Sequence, residues 1–139
     1  QRSQTDLSDA SPSMVVNFTL PTSLNRSSST ANSAVLNLDA KQVEFNFNEI
    51  YINPTTTVCS DDNNDATNQP NSLNFLREHD DDNLKTEWAT NHIAFSSALL
   101  RTGTNQLLIC SRGETGDSAA GNNDDLSVKS IVLYYHTSP

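Results

Sequence analysis

Carboxylates are the most plentiful groups in this chain that could do chemistry. Asp and Glu make up 17 of its 139 residues, and just over half of them fall in three clusters, at positions 61–65, 78–82 and 124–125. Glycoside hydrolysis needs one protonated and one ionised carboxyl held on rigid elements across a cleft. These clusters instead lie in polar segments rich in Asn, Asp and Gly, which is typical of solvated loops. We therefore expect no catalytic carboxylate pair.

The histidines indicate no nucleophilic catalyst either. The chain has three histidines, and it contains no Gly-x-Ser-x-Gly motif, the sharp turn that exposes a catalytic serine. Together with the loop carboxylates, this pattern predicts that the protein is not an enzyme.

Calcium is the one metal for which the sequence offers a ligand pattern. Asp61, Asn63 and Asp65 match the first three ligand positions of an EF-hand loop, because oxygens at alternate residues converge on one hard cation. The match then ends, since Ala66 and Ser72 replace the turn glycine and the bidentate Glu. We expect solvated acids and no cofactor. A structural calcium ion is the alternative, with candidate ligands at Asp61, Asn63, Asp65, Asp124 and Asp125.

The cysteines and the sequons favour an extracellular location. Cys59 and Cys110 are the only two cysteines, and an even count is compatible with one disulfide in an oxidising compartment. Two buried free thiols are the alternative. Sequons begin at Asn17 and Asn25, and we expect a glycan at one of them, Asn25 being favoured.

Charge and composition exclude several classes of partner and fold. The formal net charge of −9 disfavours binding to nucleic acid or to anionic membrane surfaces. No run of about 18 apolar residues is present, so we expect no membrane span. Abundant Asn, Ser and Thr are poor in helix interiors. The composition therefore disfavours a helical bundle.

Alternating apolar residues predict about eight short strands in a two-sheet sandwich. Residues 34–38, 41–47 and 91–96 show this alternation, and residues 105–111 are apolar on both faces, as in a covered central strand. Residues 126–135 change parity, which predicts a bulge. The predicted core is Val43, Phe45, Phe47, Ile93, Phe95, Leu107, Ile109, Ile131 and Leu133.

The second half of the chain carries a family resemblance. Trp88-Ala89-Thr90, the segment Leu99-Leu100-Arg101-Thr102-Gly103-Thr104-Asn105-Gln106-Leu107-Leu108-Ile109, and Asn123-Asp124-Asp125-Leu126 resemble secreted jelly-roll domains of the type found among carbohydrate-binding modules. The resemblance implies a jelly-roll sandwich. Sugar binding would need aromatic platforms, for which Trp88, Tyr51 and Tyr134 are the candidates, with ordinary core or boundary positions as the alternative.

The N-terminal region contains the sharpest functional pattern. Residues 1–13 are polar and patternless, and Met14, Val16, Phe18 and Leu20 then fall on one face of a strand at residues 14–20. Residues 21–33 form a Ser/Thr/Asn-rich tether. We therefore divide the chain into an N-terminal extension, residues 1–33, and a jelly-roll sandwich, residues 34–139.

A tethered apolar strand resembles the donor strand of bacterial pilins that assemble by donor-strand exchange. This resemblance is one of mechanism and strand pattern, and it implies a head-to-tail homopolymer in which each copy inserts the strand into another. The sequence thus predicts a structural subunit of an extracellular pilus-like filament with helical assembly. The alternative is a non-catalytic carbohydrate-binding module of a secreted protein.

Overall fold

The described part of the chain is built from strands. A computed structural model describes residues 4–7, 13–21, 34–43, 48–57, 59, 72–73, 87–111 and 126–135. Within it lie eight strands and one 3-10 turn, Ser97–Leu99. The strands are β1 (Thr5–Asp6), β2 (Ser13–Leu20), β3 (Ala34–Lys41), β4 (Glu49–Ile52), β5 (Ser72–Leu73), β6 (Ala89–Phe95), β7 (Gly103–Cys110) and β8 (Ser127–Tyr135).

The eight strands form two four-stranded sheets. Sheet one has the order β1-β8-β3-β6 and sheet two the order β2-β7-β4-β5, and every neighbouring pair is antiparallel. The inner faces of the two sheets share one apolar core. The predicted all-β fold with two antiparallel sheets is confirmed, and no α-helix occurs among the residues that the structure describes.

Burial follows the two-residue period of the strands. Along β3, Ala34, Leu36, Leu38 and Ala40 are buried and the residues between them are half-buried, because successive side chains point to opposite faces. Most of the predicted core is found in place. Val43, Ile93, Phe95, Leu107 and Ile109 are buried, Ile131 and Leu133 are half-buried against the core, and Phe45 and Phe47 lie outside the described residues.

β7 is the covered central strand that its sequence predicts. It lies between β2 and β4, with Leu107 and Ile109 in the main core. On its other face Leu108 and Cys110 form a second cluster with Tyr51. The predicted disulfide between Cys59 and Cys110 is present, with Cα atoms 5.8 Å apart, and brings Cys59 against this cluster.

The predicted bulge in the last strand is also present. Asn37 pairs with Val132 while Asp39 pairs with Lys129, so two residues of β8 stand opposite one residue of β3. The extra residue allows Val128 and Ile131 to face the core although their positions differ in parity. Ser130 has a left-handed φ of 54°, the local backbone cost of this bulge.

Two segments differ from the sequence-based expectation. β3 is one strand over Ala34–Lys41, so the predicted interruption between residues 38 and 41 is absent, and it ends where Gln42 has a φ of 58°. Residues 44–47 of the strand predicted at 41–47 lie outside the described residues. At the N-terminus, Thr5 and Asp6 pair with β8 and Leu7 is buried, although this segment has no periodic pattern. Strands from the first 33 residues thus belong to the same two sheets as the rest.

Candidate functional site: the edge strand β2 and its cavity

β2 is the edge strand of sheet two. It pairs with β7 of its own chain over its full length, from Ser13 opposite Cys110 to Leu20 opposite Gly103. Among the described residues no strand pairs with its other side. β2 is therefore held in the sheet by a single ladder and by its side chains.

The apolar side chains of β2 face the interior of the sandwich. Leu20 is buried, and Met14, Val16 and Phe18 are half-buried and pack against the main core. Full burial of one large apolar side chain stabilises a fold by about 1.5–3 kcal/mol, so this strand contributes a substantial share of the core. These four residues, predicted to insert into the sandwich of another copy, here pack within their own chain.

An apolar cavity of about 260 Å³ separates β2 from β8. The two strands belong to different sheets and face each other along one side of the sandwich. β1 covers the outer edge of β8 only at Ser127 and Val128, so residues 129–135 pair with β3 alone among the described strands. The lining residues are Val16, Phe18, Thr19, Leu20, Leu36, Ile52, Leu107, Ile131, Leu133 and Tyr135.

Two buried asparagines secure the end of the sheet where β2 finishes. Asn105 Nδ2 donates to the carbonyls of Arg101 (2.7 Å) and Gly103 (3.0 Å), and Asn105 Oδ1 accepts from the Arg101 N–H (2.7 Å). Asn53 Nδ2 donates to Asn105 Oδ1 (3.0 Å) and to the Leu99 carbonyl (2.8 Å). Asn105 lies in the segment that carries the jelly-roll resemblance, but because Asn is abundant throughout the chain, no feature of the sequence predicts the hydrogen-bonding role of these two residues.

β1 is held to β8 by a small polar cluster. Asp6 Oδ1 accepts hydrogen bonds from Gln4 Nε2 (2.5 Å) and Ser127 Oγ (2.7 Å). These two hydrogen bonds, of which the one from Gln4 has the larger effect, lower the pKa of Asp6 below its ordinary value of 3.8. Sequence reasoning missed this residue because a single Asp in a polar segment carries no pattern.

The five calcium candidates cannot be located within the described part of the chain. Asp61, Asn63, Asp65, Asp124 and Asp125 all lie outside the described ranges. Within those ranges no group of three His, Cys, Asp or Glu side chains is placed to hold a metal ion.

The three aromatic candidates for sugar stacking lie in different surroundings. Tyr51 is 1 % exposed in the second cluster, which leaves no ring face for a sugar. Trp88 is half-buried, with the ammonium groups of Lys129 and Lys41 at 3.7 Å and 5.1 Å from its ring centroid. Tyr134 is 57 % exposed on β8.

The two sequon asparagines and one of the histidines have the following surroundings. Asn17 is exposed on β2 and its Oδ1 accepts a hydrogen bond from Gln106 Nε2 (3.0 Å), whereas Asn25 lies outside the described residues. His92 is exposed, with its Nδ1 2.8 Å from Asn37 Oδ1. None of the helical structure described in this chain is long and apolar enough to cross a membrane.

Comparison of the chain with protein-family models, with curated proteins and with solved structures yields no match.

Proposed function

We propose that the protein is a structural subunit of an extracellular filament, and that copies are joined by exchange of β2. The observation that carries the proposal is the position of β2: an edge strand, paired along its whole length with β7, whose apolar face fills part of the core. In the exchanged form, β2 of one copy would pair with β7 of the next. The transfer is head-to-tail and leaves one free strand and one free groove at the ends of every polymer.

We infer that the acceptor is a jelly roll. In a jelly roll, a long hairpin is folded so that its successive strand pairs lie alternately in one sheet and the other. The pairs here are β1–β8 and β3–β6 in sheet one, and β2–β7 and β4–β5 in sheet two. In this arrangement β1 and β2 lie together on one open side of the sandwich. Because β1 and β2 are both edge strands, this N-terminal segment can detach from the sandwich while the other strands stay paired.

Exchange of this segment has a low energetic cost. Every contact that β2 loses in its own chain is replaced by the same contact in another copy, so the balance depends on connection geometry and concentration. β1 would leave together with β2, and the acceptor copy would likewise replace its two residue pairs with β8 and the core contacts of Leu7. The connection over residues 21–33 reaches about 40 Å when extended, enough to join neighbouring bodies.

An extracellular location agrees with the disulfide between Cys59 and Cys110, because structural disulfides persist in oxidising compartments. The exposed side chain of Asn17 is accessible to a glycan, and Asn25 in the connection remains the favoured site. Trypsin cleaves after Arg2 and Arg26, so both asparagines lie in one peptide. Mass spectrometry of this peptide from the native source should find the added mass of at least one glycan. The unmodified mass alone would contradict glycosylation.

A cross-strand disulfide tests whether β2 pairs in its own chain or in another. Asn17 and Gln106 are directly opposite in the ladder, and opposite residues of an antiparallel pair have Cα atoms at bridging distance. The variant Asn17→Cys/Gln106→Cys should form the bond in either pairing. Exchange predicts a ladder of covalent multimers on a denaturing, non-reducing gel.

The controls separate this result from random oxidation. The single variants Asn17→Cys and Gln106→Cys form at most dimers, because each copy then offers one new thiol. A reducing gel should collapse the ladder to one band. A double variant that is fully oxidised and still runs as a monomer, in a concentrated sample without filaments by negative-stain microscopy, would overturn the proposal.

A carbohydrate-binding module is the second candidate, supported by the solvent side of sheet one. Tyr134 is exposed there, and Trp88 lies against Lys41 and Lys129. In that case the protein is a monomer, and Trp88→Ala or Tyr134→Ala should abolish retention on a glycan array. Retention unchanged in both variants would contradict sugar stacking.

A further inference from the structure

We propose that the cavity between β2 and β8 is a binding site for a neutral linear aliphatic chain of about eight to ten carbon atoms. The site is independent of whether β2 pairs within its own chain or in another copy. Its ligand class follows from three properties of the cavity: volume, polarity and shape.

Volume sets the size of the ligand. The cavity holds about 260 Å³. An apolar cavity of about 150 Å³ in a protein core stays dry and binds benzene, so this larger one takes a ligand somewhat less than twice that size. A cavity of this volume left empty also costs stability, because its lining atoms lack contact partners.

Polarity determines the chemical class. Of the ten lining side chains none is charged, and Thr19 and Tyr135 bear the only hydroxyl groups among them. An ionised carboxylate would find no cation there, and the net charge of −9 on the chain disfavours it further. An alkyl chain that ends in a hydroxyl or carbonyl fits the lining better than a fatty acid anion.

Shape favours a linear molecule over a compact ring. The cavity is lined by Val16, Phe18 and Leu20 on one side and by Ile131, Leu133 and Tyr135 on the other. Each set spans four residue steps of a strand, about 13 Å. The cavity between β2 and β8 is therefore elongated along the direction of the strands. A ligand in it contacts both sheets and holds β2 in place.

Methyl-resolved NMR with 1-octanol as the probe tests the site on the full chain. We expect saturable shifts at the methyl groups of Val16, Leu36 and Leu133, and none at Leu108, which lies in the second cluster. Octanoate should bind at least tenfold more weakly. Hydrogen exchange of β2 amides should slow when 1-octanol is bound.

Adjacent valines of β2 provide a matched pair of variants. Val16 lines the cavity, whereas Val15 is 40 % exposed on the opposite face of the same strand. Val16→Phe should fill the cavity and lower the affinity for 1-octanol at least tenfold, and Val15→Phe should leave it within twofold of wild type. If Val16→Phe does not fold, the methyl shifts of the wild-type chain decide alone.

The outcomes that would overturn the site are distinct from those that concern the filament. Shifts that do not saturate or that spread over surface methyl groups, unaltered affinity in a folded Val16→Phe variant, or equal affinity for octanoate would each reject the proposed site. If the protein forms filaments but does not bind 1-octanol, only the proposed binding site is rejected. A monomer that binds 1-octanol removes the proposed exchange alone.

Discussion

At the scale of single residues, amide side chains carry much of the buried polar structure described in this sandwich. Asn105 is 1 % exposed, yet its oxygen and nitrogen both have partners. A buried amide without partners costs free energy, whereas a satisfied one links separate backbone segments. Through Asn53 this network joins β4, the 3-10 turn and the start of β7.

Removal of the Asn105 side chain should therefore be costly. Asn105→Ala removes the partner of the Arg101 N–H and of the Arg101 and Gly103 carbonyls in part-buried surroundings, and we expect the free energy of unfolding to fall by about 3 kcal/mol. Urea denaturation gives the value. Asn17→Ala, at an exposed position with one bond to Gln106, should change it by less than about 0.5 kcal/mol. A loss below about 1 kcal/mol for Asn105→Ala would contradict the account.

The pairing of β1 should depend on pH through Asp6. Its pKa is lowered in the folded protein by the bonds from Gln4 and Ser127, so the ionised carboxylate stabilises β1 above the unfolded value of about 3.8. That stabilisation is lost as the pH falls through the lower, folded pKa. The amide resonance of Leu7, which donates to the Leu126 carbonyl (2.8 Å), should move toward its unpaired position in that window.

The variant Asp6→Asn provides the control for this titration. It keeps an oxygen that accepts hydrogen bonds but does not ionise, so the Leu7 resonance should no longer change between pH 5 and about 2.5. An identical titration in the variant would assign the transition to another group.

At the scale of elements, strand ends are set by backbone conformation as much as by side-chain pattern. β3 ends where Gln42 adopts a φ of 58°, a conformation that costs most residues about 1–2 kcal/mol and glycine almost nothing. The alternation of apolar residues continues past this point in the sequence. The pattern alone therefore predicts a strand that includes Gln42, whereas in the structure β3 ends at Lys41.

Glycine at position 42 should stabilise the protein. We expect Gln42→Gly to raise the free energy of unfolding by about 0.5–1 kcal/mol, the relief of strain less the added entropy of the unfolded chain. Ala94→Gly, at an exposed position of β6 that pairs with Val35 of β3, should instead lower it by about 0.5–1 kcal/mol. Urea denaturation of both variants measures the contrast, and destabilisation by Gln42→Gly would refute the explanation.

β2 should be replaceable by a peptide. A chain without residues 1–20 exposes the edge of β7 and the apolar lining of the cavity, and we expect it to aggregate. A peptide of residues 13–20 should restore a soluble 1:1 complex by size-exclusion chromatography with light scattering. The same peptide with Phe18→Asp should not, because it would place an unpaired carboxylate against the core. A soluble, native-like truncated chain would show that β2 is dispensable.

At the scale of the whole molecule, one covalent bond ties distant parts of the chain together. Cys59 and Cys110 are 51 residues apart in sequence, and Cys110 pairs with Ser13 of β2 on one side and Glu49 of β4 on the other. The bond therefore anchors a long segment to the middle of sheet two. It also brings Cys59 against Leu108 and Tyr51 on the outer face of this sheet.

Loss of the disulfide should remove a large part of the stability. In the chain-entropy model a closed loop of this length contributes about 4 kcal/mol. We expect the variant Cys59→Ser/Cys110→Ser to lose about that much in urea denaturation, and a reductant to have no further effect on it. Thiol titration of the unfolded, unreduced wild type should find no free thiol. Two reactive thiols, or a loss below about 1 kcal/mol, would contradict this role.

Local patterns in the sequence were sufficient to predict strands, the central position of β7, the bulge in β8 and the pairing of the cysteines. Each of these depends on the two-residue period, on runs apolar on both faces or on an even cysteine count, which are properties of short segments or of composition. The apolar face of β2 was predicted for the same reason.

Only the tertiary structure decided what covers each face and which strands are neighbours. Tyr51 is buried on the outer face of sheet two with Leu108 and Cys110, where the disulfide brings Cys59 against them, and no local period encodes these contacts. The Asn53–Asn105 network and the cavity between β2 and β8 likewise join residues far apart in sequence. Alternation of apolar and polar residues predicts which of the two faces of a strand a side chain points to. What lies against that face depends on contacts between distant segments, which form only when the two sheets pack.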